Sequence, residues 1–262
     1  MQNPKLSIII PHYKTPEILV ACLDAILREV KNVSYEVIVS DGETDDKSIE
    51  GLKKKYPSVF FIGTKENVGF AKLVNIGLEE AKGEYAFVIN ADILIKNGDD
   101  VLKIIDYVER NSDVGFLGPR LFGLDGSVQQ TYFRKYTLLT VVARRTFFGK
   151  TRLGRKILDK FNYKDIDIKN PFEPDWILGA AFLMRMENLD KIGGRLDERY
   201  FMYFDDTDLC RSFKEAGLRV VYFPSTEFVH YHARSSDKGG GLFDILQNKL
   251  TRIHIASYAK YL

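Results

Sequence analysis

Glu84-Tyr-Ala-Phe-Val-Ile-Asn90-Ala-Asp92 is an apolar run that stops at two polar side chains. Tyr85, Phe87 and Ile89 alternate with Ala86 and Val88, so both faces are apolar, the pattern of a central strand covered by helices on each side. Asn90 and Asp92 then stand at its carboxyl end, where open α/β sheets bind ligands. A carboxylate there suits a divalent cation held against a diphosphate, because hard cations take a few protein oxygens and leave the rest to water and phosphate. On this tripeptide alone, an Asp92 that merely caps the next helix is the simpler account.

Working outward, residues 5–13 are β-branched and broken by Pro11, which predicts a strand ending there. Residues 17–30 carry apolar side chains at helical spacing, and residues 35–40 read as a second strand, giving a parallel βαβ unit. Asp41 stands at that strand's end, where it can meet a nucleotide base or ribose or simply make a turn before Gly42. A third strand over 58–63, a helix up to Ala81, the strand of the opening stretch, a helix over 99–110 and a strand over 114–117 complete a Rossmann-like half. No GxGxxG follows the first strand, which argues against a dinucleotide enzyme.

Past Pro119 the alternation changes. Leu124-Asp-Gly-Ser127 has hairpin chemistry, so residues 120–132 read as a β-excursion. Residues 134–164 hold ten basic side chains against the single acid Asp159, interleaved with Leu, Val and Phe. Such a segment either lies at an anionic membrane surface or forms a solvated helical face over the core. Residues 175–185 return to strand character, with Gly179-Ala180-Ala181 inviting close backbone approach. Asp205, Asp206 and Asp208 place three carboxylates in four positions before a helix reaching Gly217. Asp205 or Asp206 is expected as its N-cap, and the surplus suggests a base that takes a proton from a hydroxyl. Residues 219–223 form a strand closed by Pro224, His230 and His232 follow, residues 236–241 make a Gly-rich break, and residues 242–262 read as an amphipathic helix.

With 262 residues, 45% hydrophobic and 28% charged, the chain has ordinary soluble composition. A net charge of +2 does not point to nucleic acid. Cys22 and Cys210 lack CxxC spacing, and neither a leader nor a spanning run is present, so a reducing cytoplasm is expected, with peripheral attachment at the inner face of the cell membrane through 134–164 or 242–262.

Taken together, Ser7-Ile-Ile-Ile-Pro-His-Tyr13, Val39-Ser-Asp41-Gly with residues 44–46, Asn67-Val-Gly-Phe-Ala71 with Asn75, Asn90-Ala-Asp92, Trp176-Ile-Leu-Gly-Ala-Ala, residues 201–210 and Val229-His230 resemble the inverting family 2 glycosyltransferases, in their rhamnosyltransferase-like branch. The resemblance implies an α/β GT-A fold, with a mostly parallel central sheet, helices on both faces and a small β-excursion. It implies one domain over 1–238, with a nucleotide-sugar half at 1–118 and an acceptor half at 119–238, and a helical tail at 239–262. Pro11, Tyr13, Asp41, Asn67, Gly69, Asn90 and Ala91 would bind the nucleotide sugar, dTDP-rhamnose first and a UDP-sugar next. Asp92 and His230 would hold Mn2+ or Mg2+. Asp206, beside Asp205, would be the base, and Trp176 and Gly179 would shape the pocket for a saccharide or lipid-linked saccharide. Asn90 stands where the family more often has a first acid, and His232 competes with His230 for the metal. Two other readings are a sugar-nucleotide pyrophosphorylase, whose Gly-rich phosphate loop is missing here, and a degenerate, non-catalytic carbohydrate-binding or assembly subunit.

Overall fold

A computed structural model describes residues 3–43, 46–231 and 249–261. In chain order the elements are β1 (Leu6–Tyr13), α1 (Pro16–Glu29), β2 (Tyr35–Gly42), α2 (Asp46–Lys55), β3 (Val59–Gly63), α3 (Phe70–Glu80), β4 (Tyr85–Ile89), β5 (Ile93–Ile95), α4 (Asp99–Arg110) and β6 (Val114–Phe122). There follow β7 (Tyr132–Phe133), α5 (Leu138–Arg145), a 3₁₀ turn (Phe147–Lys150), α6 (Arg152–Phe161), β8 (Trp176–Ile177), β9 (Ala181–Arg185), α7 (Met186–Asp190), α8 (Asp205–Glu215), β10 (Arg219–His230) and α9 (Lys249–Tyr261).

The main sheet has the order β3-β2-β1-β4-β9-β6-β10-β5, and β7 pairs with β8 in a separate ribbon. Only β9 and β5 run against the rest, so the sheet is mostly parallel as expected. All five residues of β4 are buried, which bears out the two-sided reading of that stretch. One apolar layer packs β1, β2 and β4 against α1 and α4, through Leu23, Ile26, Ile104 and Ile105. The opposite layer packs Ile9, Val88 and Phe182 against α3 and α8, through Val74, Leu209 and Phe213. At roughly 25 cal/mol for each Å² of apolar surface removed from water, these two layers are the dominant favourable contribution to folding.

Three strands extend past prolines where the sequence suggested an end. Strand β1 passes through Pro11 to Tyr13, β6 through Pro119 to Phe122, and β10 through Pro224 to His230. The reason lies in the neighbours. Pairing of β1 with β4 stops at Ile9, β9 pairs with β6 only at Leu117, and β10 has an irregular register between Phe223 and Phe228. Each proline therefore stands where one side has no ladder for a missing N–H to break. The expected strand over 175–185 is instead two, β8 and β9, separated at Leu178-Gly179-Ala180. The 120–132 excursion is present: Phe122 bridges Val128, and Tyr132 pairs with Ile177.

Candidate active site

Because β9 runs antiparallel between β4 and β6, its amino end lies at the carboxyl end of β4. Ala181 is opposite Ile89, and the Asn90 N–H donates to Ala180 O at 2.9 Å. One residue earlier, the Gly179 N–H donates to Asp206 Oδ2 at 3.0 Å. A Cβ on Gly179 would stand 3.1 Å from the Asp206 Cβ, so the small residue expected to admit close approach is where the Asp206 side chain closes in. The Asn90-Ala91-Asp92 turn and Asp206 are thus joined through a single dipeptide. Ala91 is buried beneath the turn, and Ile93 N–H closes it onto Asn90 O.

Asp92 does not cap a helix. It leads into β5, whose ladder with β10 sets His230 opposite Ile93 and ties Tyr231 N–H to Asp92 O. His230 Nε2 then lies 3.3 Å from Asp92 Oδ1. Among the described residues, Asp92 Oδ1 is a buried oxygen with no hydrogen-bond donor. His230 Nδ1 meets Gln129 Oε1 at 2.8 Å, while Gln129 Nε2 donates to the His230 carbonyl at 3.1 Å. That pair of contacts fixes the amide's orientation and puts the ring proton on Nδ1, leaving the Nε2 lone pair directed toward Asp92. An orphaned carboxylate oxygen beside an imidazole lone pair fits a divalent cation. No group of three His, Cys, Asp or Glu side chains gathers as a metal cage among the described residues, so such an ion would need water and phosphate oxygens as well. The competing His232 lies outside the described residues. Burial and the Asp92 charge push the neighbouring Cys22 thiol up, which keeps it inert.

The acidic knot resolves into three different jobs. Phe204, not an aspartate, is the N-cap of α8, with φ of 65°, and Tyr203 before it has φ of 68°. Two consecutive non-glycine residues in the left-handed region store strain beside the site. Asp205 and Asp206 therefore begin the helix, where its N-terminal dipole favours negative charge. Asp208 turns away to Arg211 and the Tyr200 hydroxyl. Asp206 accepts from Gly179 N–H, from Thr207 N–H at 2.7 Å and from the Thr207 hydroxyl at 3.3 Å. Burial raises its carboxyl and these donors oppose the rise. Asp205 is raised well above the usual carboxylate range, first by burial and then by the Asp206 charge. Burial and the neighbouring charge thus oppose ionisation of Asp205, whereas at Asp206 the Gly179 and Thr207 donors work against the effect of burial.

At the other side of the sheet, Asp41 is a buried strand residue rather than a turn residue. His12 donates from Nδ1 to Asp41 Oδ1 at 2.7 Å, and its Nε2 accepts from Thr15 N–H at 3.1 Å. Both ring nitrogens are committed, so His12 holds the Asp41 carboxylate and the β1–α1 loop together. Pro11 pairs with Ser40 beside it. Tyr13 is exposed, and its hydroxyl donates to Glu43. The Asn67 side chain accepts from Gly69 N–H at 3.0 Å. Gly69 has φ of +88°, and a Cβ there would stand 2.4 Å from Phe201 O. Only glycine fits, and Phe70 N–H donates to that same Phe201 oxygen at 2.9 Å. The Asn67–Phe70 loop is therefore pinned to the segment that leads into Asp205.

Trp176 is buried in an aromatic stack with Phe133 and Tyr136, and its Nε1–H donates to Arg134 O at 3.0 Å. Through Tyr136, which contacts Phe204 at 5.2 Å, it is linked to the start of α8. Helix α9, expected as part of a tail over 239–262, instead packs onto this segment. Ser257 donates to Met202 O, and Tyr258 and Tyr261 meet the Phe204 ring. The rest of that expected tail, and the Gly-rich break at 236–241, fall mostly outside the described residues.

The sequence alone assigns no role to His12, although it lies in the Ser7–Tyr13 motif, or to Gln129. His12 sits beside Pro11 in a strand, and Gln129 follows the Asp-Gly turn, 101 residues before its partner.

Residues 7–192 match the family described as Glycosyl transferase family 2. The chain is 27% identical over 233 residues to an N-acetylglucosaminyl-diphospho-decaprenol L-rhamnosyltransferase of Mycobacterium tuberculosis, covering 84% of this chain and 74% of that protein. It is 28% identical over 207 residues to rhamnosyltransferase WbbL of Escherichia coli K12, covering 75% and 73%. The fold superposes on GalNAc-T7 solved with UDP, GalNAc and Mn2+, with TM-score 0.65 and 12% identity, over 88% of this chain. This chain spans 44% of the length of that structure. The fold also superposes on the Pyrobaculum calidifontis mannosyltransferase PcManGT in complex with GDP-Man and Mn2+, with TM-score 0.60 and 17% identity, over all of this chain and 65% of the other. With the family match spanning well over half its length, the chain belongs to glycosyl transferase family 2, as a GT-A-fold glycosyltransferase similar to rhamnosyltransferases.

Proposed function

We propose that this chain transfers rhamnose from dTDP-rhamnose, or failing that a sugar from a UDP-sugar, to a hydroxyl of a saccharide or lipid-linked saccharide, with inversion at the anomeric carbon. The observation that carries the reading is the Gly179-Ala180 dipeptide, hydrogen-bonded on one side to Asp206 and on the other to the Asn90–Asp92 turn. That link supports assigning the base to Asp206 and the diphosphate side to Asp92.

In this reading Asp206 accepts the proton of the acceptor hydroxyl. The freed oxygen bonds to the anomeric carbon as the bond from that carbon to the diphosphate oxygen breaks, and the electron pair leaves with the nucleoside diphosphate. Charge builds on the sugar ring as in glycoside hydrolysis, so the chain's contribution is orientation and stabilisation of the departing diphosphate. Asp92 and His230 Nε2 would hold Mn2+ or Mg2+, which when bound supplies positive charge against that diphosphate. Asp41, held by His12, accepts from the N–H edge of the base, while Tyr13 offers an exposed ring beside it. Asn67 and Gly69 shape the loop under the sugar nucleotide, and Asn90 gives an uncharged polar contact where a second acid would repel the diphosphate. Residues 1–118 serve as the donor half and residues 119–238 as the acceptor half of one domain.

The name of the Mycobacterium tuberculosis relative, which acts on N-acetylglucosaminyl-diphospho-decaprenol, supports a lipid-linked acceptor of that kind, and in this reading the work is done at the inner face of the cell membrane. No helix among the described residues is long and apolar enough to cross it. The test is incubation with dTDP-rhamnose, UDP-sugars and GDP-mannose and a polyprenyl-diphosphate N-acetylglucosamine acceptor, with and without Mn2+, reading product and its anomeric configuration by NMR. Product of inverted configuration from one donor is expected. Product of retained configuration would overturn the mechanism, and no product from any donor would favour the non-catalytic binding reading.

A further inference from the structure

We infer that α5, the 3₁₀ turn and α6 form a docking surface for an anionic lipid bilayer. This deepens the lipid-linked-acceptor reading and rests on it for the biological setting, but not for its test.

The three short helices make one closely packed unit. A Cβ on Gly149 would meet Ala143 O at 2.0 Å, and one on Gly154 would meet Phe148 O at 2.0 Å, so backbone lies directly on backbone. The inner side is anchored: Phe161 is buried against Phe133, Tyr136 and Trp176, and its carbonyl accepts from Arg134 N–H. Amphipathic surface helices normally turn polar residues outward once the inner face is buried. Here Leu138, Leu139 and Val142, at i, i+1 and i+4 of α5, are exposed, as are Phe147 and Leu153 on the next two pieces. Phe147 and Leu138 are 76% and 73% accessible, values at which a folded monomer gains nothing from an apolar side chain.

The charges identify the occupant. Lys150, Arg152, Arg155 and Lys156 are exposed on the same three helices, none of them takes part in an ion pair among the described residues, and Lys150 lies over the exposed Phe147 ring at 5.8 Å. Arg144 instead turns back to the Tyr136 hydroxyl and the Phe161 ring. Exposed Leu and Phe sharing short helices with cations that have no ion-pair partner is the composition of a surface lying in the boundary between headgroups and acyl chains of an acidic leaflet. A protein partner of acidic character would account for the cations but not for five separate aliphatic and aromatic side chains spread along three helices. Position agrees. Tyr136, on the inner side of this unit, contacts Phe204, the residue before Asp205, so the docked unit is linked to the acidic pair through two aromatic side chains.

The test uses the full chain and flotation with phosphatidylcholine vesicles, with or without phosphatidylglycerol. The wild type should float only with the anionic vesicles. Lys150→Gln with Lys156→Gln should weaken partitioning by roughly fivefold for each lysine neutralised, and added salt should shrink that difference. Phe147→Ser with Leu153→Ser should abolish flotation at low and high salt, with melting temperature unchanged because both side chains are in solvent. No flotation of the wild type, or full flotation of the Phe147→Ser/Leu153→Ser chain, would overturn the proposal. Dimers in light scattering that this double variant dissociates would overturn it in favour of self-association. Flotation is read without turnover, so a chain that floats yet transfers no sugar refutes the proposed function alone, and one that transfers to a soluble acceptor yet does not float refutes the docking surface alone.

Discussion

Replacing Asp206 by Asn separates chemistry from architecture. The wild-type carboxylate accepts two backbone N–H groups, from Gly179 at 3.0 Å and Thr207 at 2.7 Å, one on each oxygen. An amide has one oxygen, so one of those N–H groups must face an NH2. A buried donor left unmatched costs about 1–3 kcal/mol. Against this, the substitution removes a negative charge whose burial already raises the Asp206 carboxyl. The two terms oppose, so the melting temperature should move by only a few degrees, at about 2–4 °C per kcal/mol for a domain of this size. Catalysis has no such compensation: loss of a positioned base costs roughly 10²–10⁴ in rate, about 3–5 kcal/mol of barrier. The assay is kcat at saturating donor and acceptor, paired with calorimetric titration of the donor's nucleoside diphosphate. We expect kcat to fall by at least a hundredfold, about 10², with nucleotide affinity almost unchanged. A kcat within tenfold of wild type, about 1.4 kcal/mol of barrier, would show that Asp206 is not the base. Loss of nucleotide binding with retained fold would assign Asp206 to the donor instead.

Three further outcomes follow from the same geometry. Gln129→Leu removes the acceptor that orients His230 and should weaken Mn2+ binding in the presence of nucleotide by about 10–100-fold, while Gln129→Glu should not; equal affinities by calorimetry would free His230 from that role. Gly69→Ala forces a side chain into φ of +88° and against Phe201 O, costing about 1–2 kcal/mol for the backbone and about 1 for the Phe70–Phe201 hydrogen bond, so the melting temperature should drop by about 4–12 °C, and a wild-type melt would sink the argument. For Asp205 the folded state holds the proton more tightly than the unfolded chain, so ionisation opposes folding as pH rises above the unfolded value of about 4. Asp205→Asn should therefore melt higher than wild type at pH about 8 and converge with it near pH about 4; the reverse order would mean that the buried carboxyl is stabilised by its charge.

The apolar alternation in β1, β2 and β4 and the helical spacing in α1 and α4 were readable because each reports local burial, and burial sets those periods. The continuation of strands through Pro11, Pro119 and Pro224 was not, since whether proline breaks a ladder depends on where an adjoining strand stops, which is a property of topology. The same holds for the acidic knot. Three carboxylates in four positions announced a site, but only the fold gives Asp208 to Arg211 and leaves Asp206 to Gly179. His12 and Gln129 escaped because their partners are 29 and 101 residues away and neither stands in a spacing that chemistry requires. Phe204 as N-cap escaped for the opposite reason: local preference favours aspartate there, and the packing of Tyr258 and Tyr261 on its ring outweighs it.

The prolines also bear on what this sheet will not do. Pro11, Pro119 and Pro224 lie where strands run past the end of regular pairing. All three are buried, and a backbone N–H on the side without a ladder would be a buried donor with no strand to receive it, a costly group to leave unpaired. Proline withholds the donor. The strands can therefore run on past their neighbours without orphaning a donor, an advantage that alanine at these positions would forfeit even where the fold survived.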